Sequence, residues 1–496
     1  MICRCIAFVR SGALALAVGA ALLTSLAVAA PSHADPPNAG TACQASGKIS
    51  GRGATFQTFA QRLAFAAGYR QDVCGPVTDA NGDDMVLYNY LGASGLTGSG
   101  NGIDAAKCRS DAFAGTDVPY TRQDIADTRV APNAMPQPVL EACAALSDSI
   151  SPDLTTQYQP LPAPWPDAAD TQASFTPAGA QARTGAMSFP VAGASVAIGV
   201  NLTATDCPGL TGPPSINLTS SQASRIFGGL ITSWNDPALT TSSPDLAGCP
   251  VAITRVVRLD KSGTTQTLKN YLAKADGATW LCDGVSLWSV LNSDAENTVW
   301  PENPPLDGCL PGQLQRGDVS GAPAVVQKVQ AARGAIGYAD LADWGSPAVV
   351  QLANVAPATA PSGPTFLSPA AGAAANCTFA GATTPGSTAS DAVGLNPNTN
   401  IGWAVDAVPN RSDITYIGDG YPICGLTWDL VYVGLNHNGA SATAISRLTG
   451  NQRRTLYSYF SYILTPYAQD RLTQNSYAKL PGALLAKLRA GLQQYF

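Results

Sequence analysis

The stretch RLDKSGTTQTLKNYL, residues 258–272, places charged and hydroxyl side chains at the start of a predicted helix. Arg258 and Asp260 precede the small polar run Ser262-Gly263-Thr264-Thr265, and a helical pattern follows. The first amide groups of a helix have no acceptor inside the helix, and the helix dipole adds partial positive charge there. Two interpretations are therefore open: a capped turn, or a site that binds an anion.

Two turns of similar composition occur earlier in the chain. Gly53-Ala54-Thr55-Phe56 opens an amphipathic pattern, and Gly98-Ser99-Gly100-Asn101-Gly102 opens a shorter one. Glycine permits close approach of an anion to the backbone, and hydroxyl groups add donors. Each turn alone is typical of an ordinary helix start, but three such turns and an arginine favour an anion site. Sequence spacing does not show whether the three turns converge.

The composition favours a globular protein of several domains. The chain has 496 residues, of which 45% are hydrophobic and only 12% charged, and this length suggests two or three domains. The formal net charge is -6 and the sequence has no basic tract. A nucleic-acid partner bound through a positive face is therefore not expected.

The first 34 residues are typical of a cleavable signal peptide. Arg4 and Arg10 form a basic start, residues 11–30 are small and apolar, and Ser-His-Ala at 32–34 matches a cleavage site. Because an apolar run of this length also just spans a bilayer, an uncleaved anchor is the alternative. No cysteine ends the apolar run, so a lipid anchor is not indicated. We expect a periplasmic or secreted protein.

The cysteines favour disulfides and not a metal site. Ten of them follow the predicted cleavage site, at positions 43, 74, 108, 143, 207, 249, 282, 309, 377 and 424. An even number in an exported chain is typical of disulfide bonding. None forms a Cys-x-x-Cys pair, so zinc is not predicted. Because the cysteines fall in successive segments, we expect sequence neighbours to pair in five local bridges.

Strand and helix patterns alternate, which predicts an α/β fold with mainly parallel strands. Strands are predicted at 84–91, 195–202, 251–259, 335–341 and 427–435, and helices at 220–234, 323–334 and from about 450 onward. Thr219 and Gln222 form a capping box before the first of these helices, and Gly334 is predicted to follow the end of the second. Two Pro-rich stretches, about 150–186 and 354–400, indicate linkers or insertions in a continuous domain.

Six motifs, in this order, resemble the substrate-binding proteins of the phosphate (Pst) ABC importer. They are GATF, GSGNG, FAGTD, FGGLITSWNDPAL, RLDKSGTT and RGAIGY, and the resemblance covers roughly residues 48–120, 187–350 and 420–496. It implies a two-lobed α/β periplasmic-binding-protein fold of type II, with the ligand in the interlobe cleft. Lobe 1 is expected at 48–193 and 423–496, and lobe 2 at 194–422, each with one of the Pro-rich insertions.

The resemblance also implies a set of phosphate contacts. It assigns the ligand to Thr55, Phe56, Ser99, Asp117, Arg258, Ser262, Gly263 and Thr264, with Asp260 orienting the arginine. Asp117 is expected to accept a proton that hydrogen phosphate carries and sulfate lacks at neutral pH, so sulfate should be excluded. Lys261 replaces the usual glycine of its motif, and either a charge near the site or a solvated side chain would account for it.

The function implied is binding of inorganic phosphate outside the cytoplasm and its delivery to the membrane permease of an ABC importer. A monomer without cofactor or enzymatic activity is expected. Two alternatives remain: a secreted phosphate-binding-like protein with phosphomonoesterase activity, and a surface or adhesion protein that reuses the fold. A catalytic triad would need His437, the one histidine after residue 34, and no nucleophile-elbow or HExxH motif is evident.

Overall fold

The computed structural model describes the main segments of the chain after residue 42. They are residues 43–75, 84–89, 98–108, 111–118, 184–276, 298–300, 319–345, 350–356, 365–369, 421–434 and 450–482, with short pieces at 281–282, 285–286, 313–315, 485–486, 488–489 and 492. All of them belong to one compact unit, Asp35–Phe496. The predicted signal peptide and most of both Pro-rich stretches lie outside the described residues. In the described segments, no helix is long and apolar enough to cross a membrane.

The elements alternate along the chain as the sequence predicts. The strands are β1 (Ile49–Gly53), β2 (Val86–Asn89), β3 (Phe113–Thr116), β4 (Thr184–Val200), β5 (Asn217–Thr219), β6 (Thr254–Val256), β7 (Leu281–Cys282), β8 (Val285–Ser286), β9 (Gln313–Gln315), β10 (Ala335–Asp340), β11 (Gln351–Leu352), β12 (Asn354–Ala356) and β13 (Cys424–Gly434). The helices are α1 (Thr55–Gln57, Ala60–Ala66, Ala67–Tyr69 and Arg70–Cys74 in succession), α2 (Ser99–Cys108), α3 (Ser220–Phe227), α4 (Pro237–Thr240), α5 (Gly263–Asp276), α6 (Ala322–Ala331), α7 (Leu341–Trp344), α8 (Gly450–Ile463) and α9 (Pro466–Thr473).

One sheet runs through the molecule in the order β2-β1-β3-β13-β4-β10-β6-β9, and β11 pairs with β4 beside it. The long strand β4 takes part in both halves, because residues 184–195 pair with β13 and residues 196–200 pair with β10. We call β2-β1-β3-β13 the first half-sheet and β10-β6-β9 the second half-sheet. The boundaries predicted for the two lobes stay a prediction.

The parallel strands of the two half-sheets run in opposite directions. Strand β3 and strand β4 are both antiparallel to β13, so β3 and β4 run the same way, whereas β10 is antiparallel to β4. The end of β3 lies level with Pro190 of β4, and the end of β10 lies level with Val196. The carboxyl ends of both sets of strands therefore face each other across these few residues. Ligands of open α/β proteins bind at such ends.

The prediction of mainly parallel pairing was wrong for the centre of the sheet. Parallel pairing holds for β1 with β2 and β3, for β6 with β9 and β10, and for β5 with β12. Strands β4 and β13 pair antiparallel with each other and with their other neighbours. Both consist mostly of apolar and small residues, and such a composition does not reveal the direction of the neighbouring strand.

Helix boundaries follow local signals. Helix α3 begins with the predicted capping box, in which Gln222 N donates to Thr219 Oγ1 at 3.1 Å and Thr219 N donates to Gln222 Oε1 at 2.7 Å. It ends at Phe227 and not near 234, because Gly229 adopts a left-handed conformation with φ of 84°. Gly334 is also left-handed, with φ of 73°, but it stands three residues beyond the end of α6 instead of directly after it.

Two of the predicted neighbouring disulfides are confirmed. Cys43 pairs with Cys74, and Cys207 pairs with Cys249, closing segments of 31 and 42 residues. Cys108 and Cys424 are disulfide-bonded as well. The pairings predicted for the remaining cysteines stay predictions. Four tryptophans are almost completely buried and anchor the interior: Trp234, Trp300, Trp344 and Trp428.

Candidate functional site

The three hydroxyl-rich turns converge where the carboxyl ends of the two half-sheets face each other. Thr55 follows β1, Ser99 begins α2 and Gly263 begins α5. Arg258 Nη1 donates to Thr55 Oγ1 at 3.2 Å, and Gly263 N donates to Ser99 Oγ at 3.1 Å. These contacts join segments that are 203 and 164 residues apart in the chain. The convergence that sequence spacing left open is therefore present.

Arg258 is a buried cation held by a carboxylate. Its Nε donates to Asp260 Oδ1 at 2.9 Å, and its Nη2 contacts Asp260 Oδ2. Asp260 Oδ1 also accepts from the amide of Gly321 at 3.1 Å, which holds the carboxylate in place. Burial is the largest single effect on the pKa of Arg258 and lowers it, but the charge and hydrogen bonds of Asp260, together with Tyr338 and Asp117, outweigh burial and raise the pKa. The guanidinium stays charged and keeps a fixed orientation.

Ser99 connects three segments through one hydroxyl group. Its Oγ accepts from Asp117 N at 3.0 Å and from Gly263 N at 3.1 Å, and it donates to Asp117 Oδ2 at 3.0 Å. The hydroxyl proton of Ser99 is therefore directed at Asp117, and both of its lone pairs receive amides. Both residues are buried, so the bond lies in a region of low dielectric.

Thr427, which the sequence did not single out, holds the other oxygen of the Asp117 carboxyl. Its Oγ1 donates to Asp117 Oδ1 at 2.7 Å. Burial raises the pKa of Asp117 to about 7, while the hydrogen bonds from Thr427 and Ser99 and the charge of Arg258 act in the opposite direction. The pairing of β13 with β4 shifts register directly after Thr427. Such irregularities redirect side chains beside functional sites, and an apolar strand sequence gives no sign of them.

Tyr338 packs behind Arg258 and belongs to the RGAIGY motif. Its hydroxyl lies 2.7 Å from Trp300 Nε1, which donates to it, and 2.7 Å from Thr265 Oγ1. The amide of Arg258 also donates to it, at 3.4 Å. Burial raises the pKa of Tyr338 to about 12, so the group remains a neutral phenol beside the guanidinium. Its role is to fix the backbone from which Arg258 projects.

The remaining predicted residues are buried in the same region. The carbonyl of Phe56 accepts from the Tyr477 hydroxyl at 2.7 Å. Ser262 Oγ accepts from Thr265 N at 3.1 Å at the start of α5. In the described part of the chain, Thr264 Oγ1 is buried without a hydrogen-bond partner. Because such a group loses its hydration without compensation, this hydroxyl is a candidate donor to a ligand.

Lys261 lies beside the second turn and outside the buried set. The residue is exposed, and its carbonyl accepts from Gly100 N at 3.2 Å. A Cβ at Gly100 would stand 2.5 Å from Lys261 Cβ, and one at Gly98 would stand 2.6 Å from the Lys261 carbonyl oxygen. Gly98 also has φ of 98°, which favours glycine. The backbone and the first side-chain carbons of Lys261 thus pack closely against the turn that contains Gly98 and Gly100.

Two further carboxyl groups, Asp340 and Asp343, lie near enough to Asp117 to interact with it electrostatically when they are ionised. Asp340 ends β10, caps α7 and accepts from Asp343 N at 3.2 Å. Burial raises the pKa of Asp340 well above its usual range, and the charge of Asp343 adds to this. Burial raises the pKa of Asp343 to about 6, while the charge of Arg258 lowers it. In the sequence, the pattern DLAD at residues 340–343 is typical of a helix cap, so it did not indicate a functional site.

The arrangement suits an oxyanion that carries a proton. A buried guanidinium, helix-terminal amides and hydroxyls can neutralise and hold negative charge. The Asp117 carboxyl can accept a proton from the same ligand. In the described segments, no group of three or more His, Cys, Asp or Glu side chains could hold a metal ion. His437 lies outside the described residues.

Comparison with known proteins is consistent with this arrangement. A family model described as a PBP superfamily domain matches residues 167–386. The chain is 34% identical over 105 residues to the phosphate-binding protein PstS 3 of Mycobacterium tuberculosis, covering 21% of this chain and 26% of the relative. It is 31% identical over 130 residues to PstS of Xylella fastidiosa, covering 26% of this chain and 30% of the relative. These matches thus span less than a third of the curated relatives.

Solved structures share the fold over most of the chain. The structure resembles that of a high-affinity periplasmic phosphate-binding protein (PfluDING), with a TM-score of 0.52 and 19% sequence identity. The match covers 89% of this chain and 93% of that one. It also resembles the structure of a human phosphate-binding apolipoprotein, with a TM-score of 0.54 and 18% sequence identity. This match covers 89% of this chain and 94% of that one. The protein therefore has the α/β fold of the periplasmic binding proteins. Within that class, its resemblance to the phosphate-binding proteins of the PstS type is confirmed.

Proposed function

We propose that this protein binds inorganic phosphate outside the cytoplasm, in the region between the facing strand ends, and delivers it to an ABC importer. The observation that carries the proposal is the convergence of Thr55, Ser99, Asp117, Arg258 and Gly263 from four distant segments. The resemblance to phosphate-binding proteins supports the same ligand.

The site offers both charge and donors for a dianion. Arg258 carries the positive charge, and the start of α5 adds the partial charge of a helix N-terminus. Thr264 Oγ1 is buried without a partner in the described residues, and a phosphate oxygen would satisfy it. The amides of Thr55, Phe56 and Ser99 and the Ser262 hydroxyl complete the proposed shell, and the bond from Gly263 N to Ser99 Oγ holds the second and third turns together around it.

Asp117 supplies the selectivity. An ionised carboxyl beside a dehydrated anion is repulsive unless the anion donates a proton to it. Hydrogen phosphate and hydrogen arsenate have such a proton, and sulfate does not at neutral pH. Thr427 and Ser99 donate to Asp117 and favour its ionised form, which is the form that accepts.

Isothermal titration of ligand-stripped protein at pH 8 with phosphate, arsenate and sulfate tests the proposal. We expect phosphate and arsenate to bind with 1:1 stoichiometry and sulfate to give no binding heat. Arg258→Ala should abolish phosphate binding, because it removes the cation and leaves Asp260 buried without its partner. Asp117→Asn should reduce the preference for phosphate over sulfate by about tenfold or more.

Asp470→Asn is the matched control, since Asp470 forms an exposed pair with Lys479 and such pairs contribute little. It should leave both titrations unchanged. Comparable affinity of the unmodified protein for phosphate and sulfate would contradict the proposal. Delivery is tested separately: deletion of the gene in its host should lower uptake of radiolabelled phosphate at low external concentration, and re-expression should restore it.

A further inference from the structure

The hydroxyl of Tyr477 lies between two oxygen atoms on different parts of the fold. Its Oη is 2.7 Å from the carbonyl oxygen of Phe56, in the first turn, and 2.7 Å from Asp340 Oδ2, at the end of β10. All three residues are at most 1% exposed. The contacts link residues 421 and 137 positions apart in the chain. Tyr477 thus connects the second half-sheet with the first binding turn.

The number of protons on Tyr477 and Asp340 decides whether both contacts can be hydrogen bonds. A phenol has one proton, and a backbone carbonyl can only accept. If Tyr477 donates to Phe56, the contact with Asp340 needs a proton that comes from the Asp340 carboxyl. Oδ2 is the carboxyl oxygen that contacts Tyr477, whereas Oδ1 accepts from Asp343 N at 3.2 Å, so the proton that serves this contact lies on Oδ2.

We propose that Asp340 is a positioning residue that works in its protonated form, donating to Tyr477, which donates to the carbonyl of Phe56 and holds the first binding turn. The effect on phosphate rests on the function proposed above, whereas the proton on Asp340 does not. Ionisation of Asp340 would draw the phenol proton to the carboxylate. The Tyr477 and Phe56 oxygens would then face each other without a proton between them.

The surroundings favour the protonated carboxyl. Four titratable or charged groups from other elements act on this region: Asp343, Tyr477, Asp117 and Arg258. Burial raises the pKa of Asp340 well above its usual range, and the charge of Asp343 and a side-chain hydrogen bond with it add to this, whereas donation from Tyr477 or from Asp343 N lowers it. Burial raises the pKa of Tyr477 as well, and the charge of Asp343 adds to this, so the phenol keeps its proton. Arg258 already has Asp260 as its carboxylate partner.

The position of Phe56 explains why this relay matters for binding. Phe56 follows Thr55, whose Oγ1 accepts from Arg258 Nη1 at 3.2 Å and from Ala322 N at 3.4 Å. Thr55 is therefore tied to the segment after β6 and to the start of α6, and Phe56 is tied through Tyr477 to the end of β10. Loss of the Tyr477 bond would leave the turn held through Thr55 and free to rotate its amides away from the ligand.

Infrared spectroscopy tests the proton directly. The ligand-free protein at pH 7 is compared with Asp340→Asn, whose amide can accept from Asp343 N and donate to Tyr477 in place of the protonated carboxyl. The difference spectrum should contain the carbonyl band of one protonated carboxylic acid. Asp343→Asn is the control for the neighbouring group, and it should retain that band because the proton resides on Asp340.

Phosphate titration tests the positioning role. Asp340→Asn should bind phosphate within about threefold of the unmodified protein, because it keeps both hydrogen bonds. Asp340→Ala and Tyr477→Phe should each weaken binding by about tenfold or more, since each breaks the relay to Phe56. Circular dichroism and thermal unfolding show whether each variant is folded before it is titrated.

Three results would overturn the inference. They are absence of the protonated-acid band from the difference spectrum, loss of that band in Asp343→Asn, and a loss of affinity in Asp340→Asn as large as in Asp340→Ala. Failure of the unmodified protein to bind phosphate would instead contradict the proposed function. The infrared result would still decide whether Asp340 carries the proton.

Discussion

At the scale of the residue, Asp117 shows two opposing effects on one carboxyl group. Burial raises its pKa to about 7, although Thr427, Ser99 and Arg258 all favour the charged form. An acid whose pKa is higher in the folded than in the unfolded protein binds more protons when folded, so its contribution to stability falls as the pH rises. The carboxyl to which the proposed function assigns selectivity therefore destabilises the ligand-free protein at neutral and alkaline pH.

Asp117→Asn should accordingly stabilise the ligand-free protein at high pH. The contribution of the native carboxyl is present below its unfolded pKa of 3.8 and is lost as the pH rises through about 7. Above pH 7 the variant should be the more stable form, by up to about 4 kcal/mol, and the difference should shrink towards pH 4. Urea unfolding of both proteins from pH 4 to 9 measures it. A difference independent of pH would contradict the assignment.

At the scale of the element, helix α5 depends on a residue without a side chain at its start. A Cβ at Gly263 would lie 2.4 Å from Asp117 Cβ and 2.6 Å from Ser99 Oγ. Glycine is otherwise a poor helix former, and alanine would favour the helix by about 1 kcal/mol. The requirement for glycine therefore comes from the approach of α5 to the segments that carry Ser99 and Asp117.

Gly263→Ala should weaken phosphate binding by about tenfold or more, because the added methyl group forces α5 away from Ser99 and Asp117. Global stability should change less than binding, since the helix itself gains propensity. Gly212→Ala is the control, as a Cβ there meets nothing within 4 Å. Calorimetric titration and thermal unfolding of both variants check the prediction. Unchanged affinity in Gly263→Ala would show that the two segments do not need this contact.

At the scale of the whole molecule, two half-sheets share strand β4 and place their carboxyl ends opposite each other. Residues from β1, β3, β6 and β10 meet in the middle, so the site requires the correct assembly of segments from most of the chain. The disulfides contribute to this assembly by limiting the freedom of the unfolded chain. The bond between Cys207 and Cys249 closes a segment of 42 residues.

Removal of this disulfide by Cys207→Ala with Cys249→Ala should lower the free energy of unfolding by about 2–4 kcal/mol. Phosphate affinity should stay within about twofold, because neither cysteine belongs to the proposed ligand shell. Urea unfolding gives the stability, and calorimetry gives the affinity. A stability equal to that of the unmodified protein would contradict the prediction.

Local signals in the sequence predicted much of the fold and most of the candidate site. The capping box at Thr219, the strand and helix alternation and the three turns depend on residues a few positions apart, and such patterns are readable. The order of six motifs indicated the class of protein and predicted Thr55, Ser99, Asp117 and Arg258 as ligand contacts, an assignment that stays a prediction. The pairing of the two disulfides described here also followed the order of the cysteines along the chain.

The features that only the tertiary structure decided are those that depend on strand order and register. The sequence could not show that the turns meet, that β4 and β13 run antiparallel at the centre, or that Thr427 and Tyr477 reach the site. These contacts join residues hundreds of positions apart, and a single threonine or tyrosine carries no sign of its distant partner. Local hydrogen bonding and hydrophobic periodicity determined the elements, and the packing of the elements determined which polar groups are buried together.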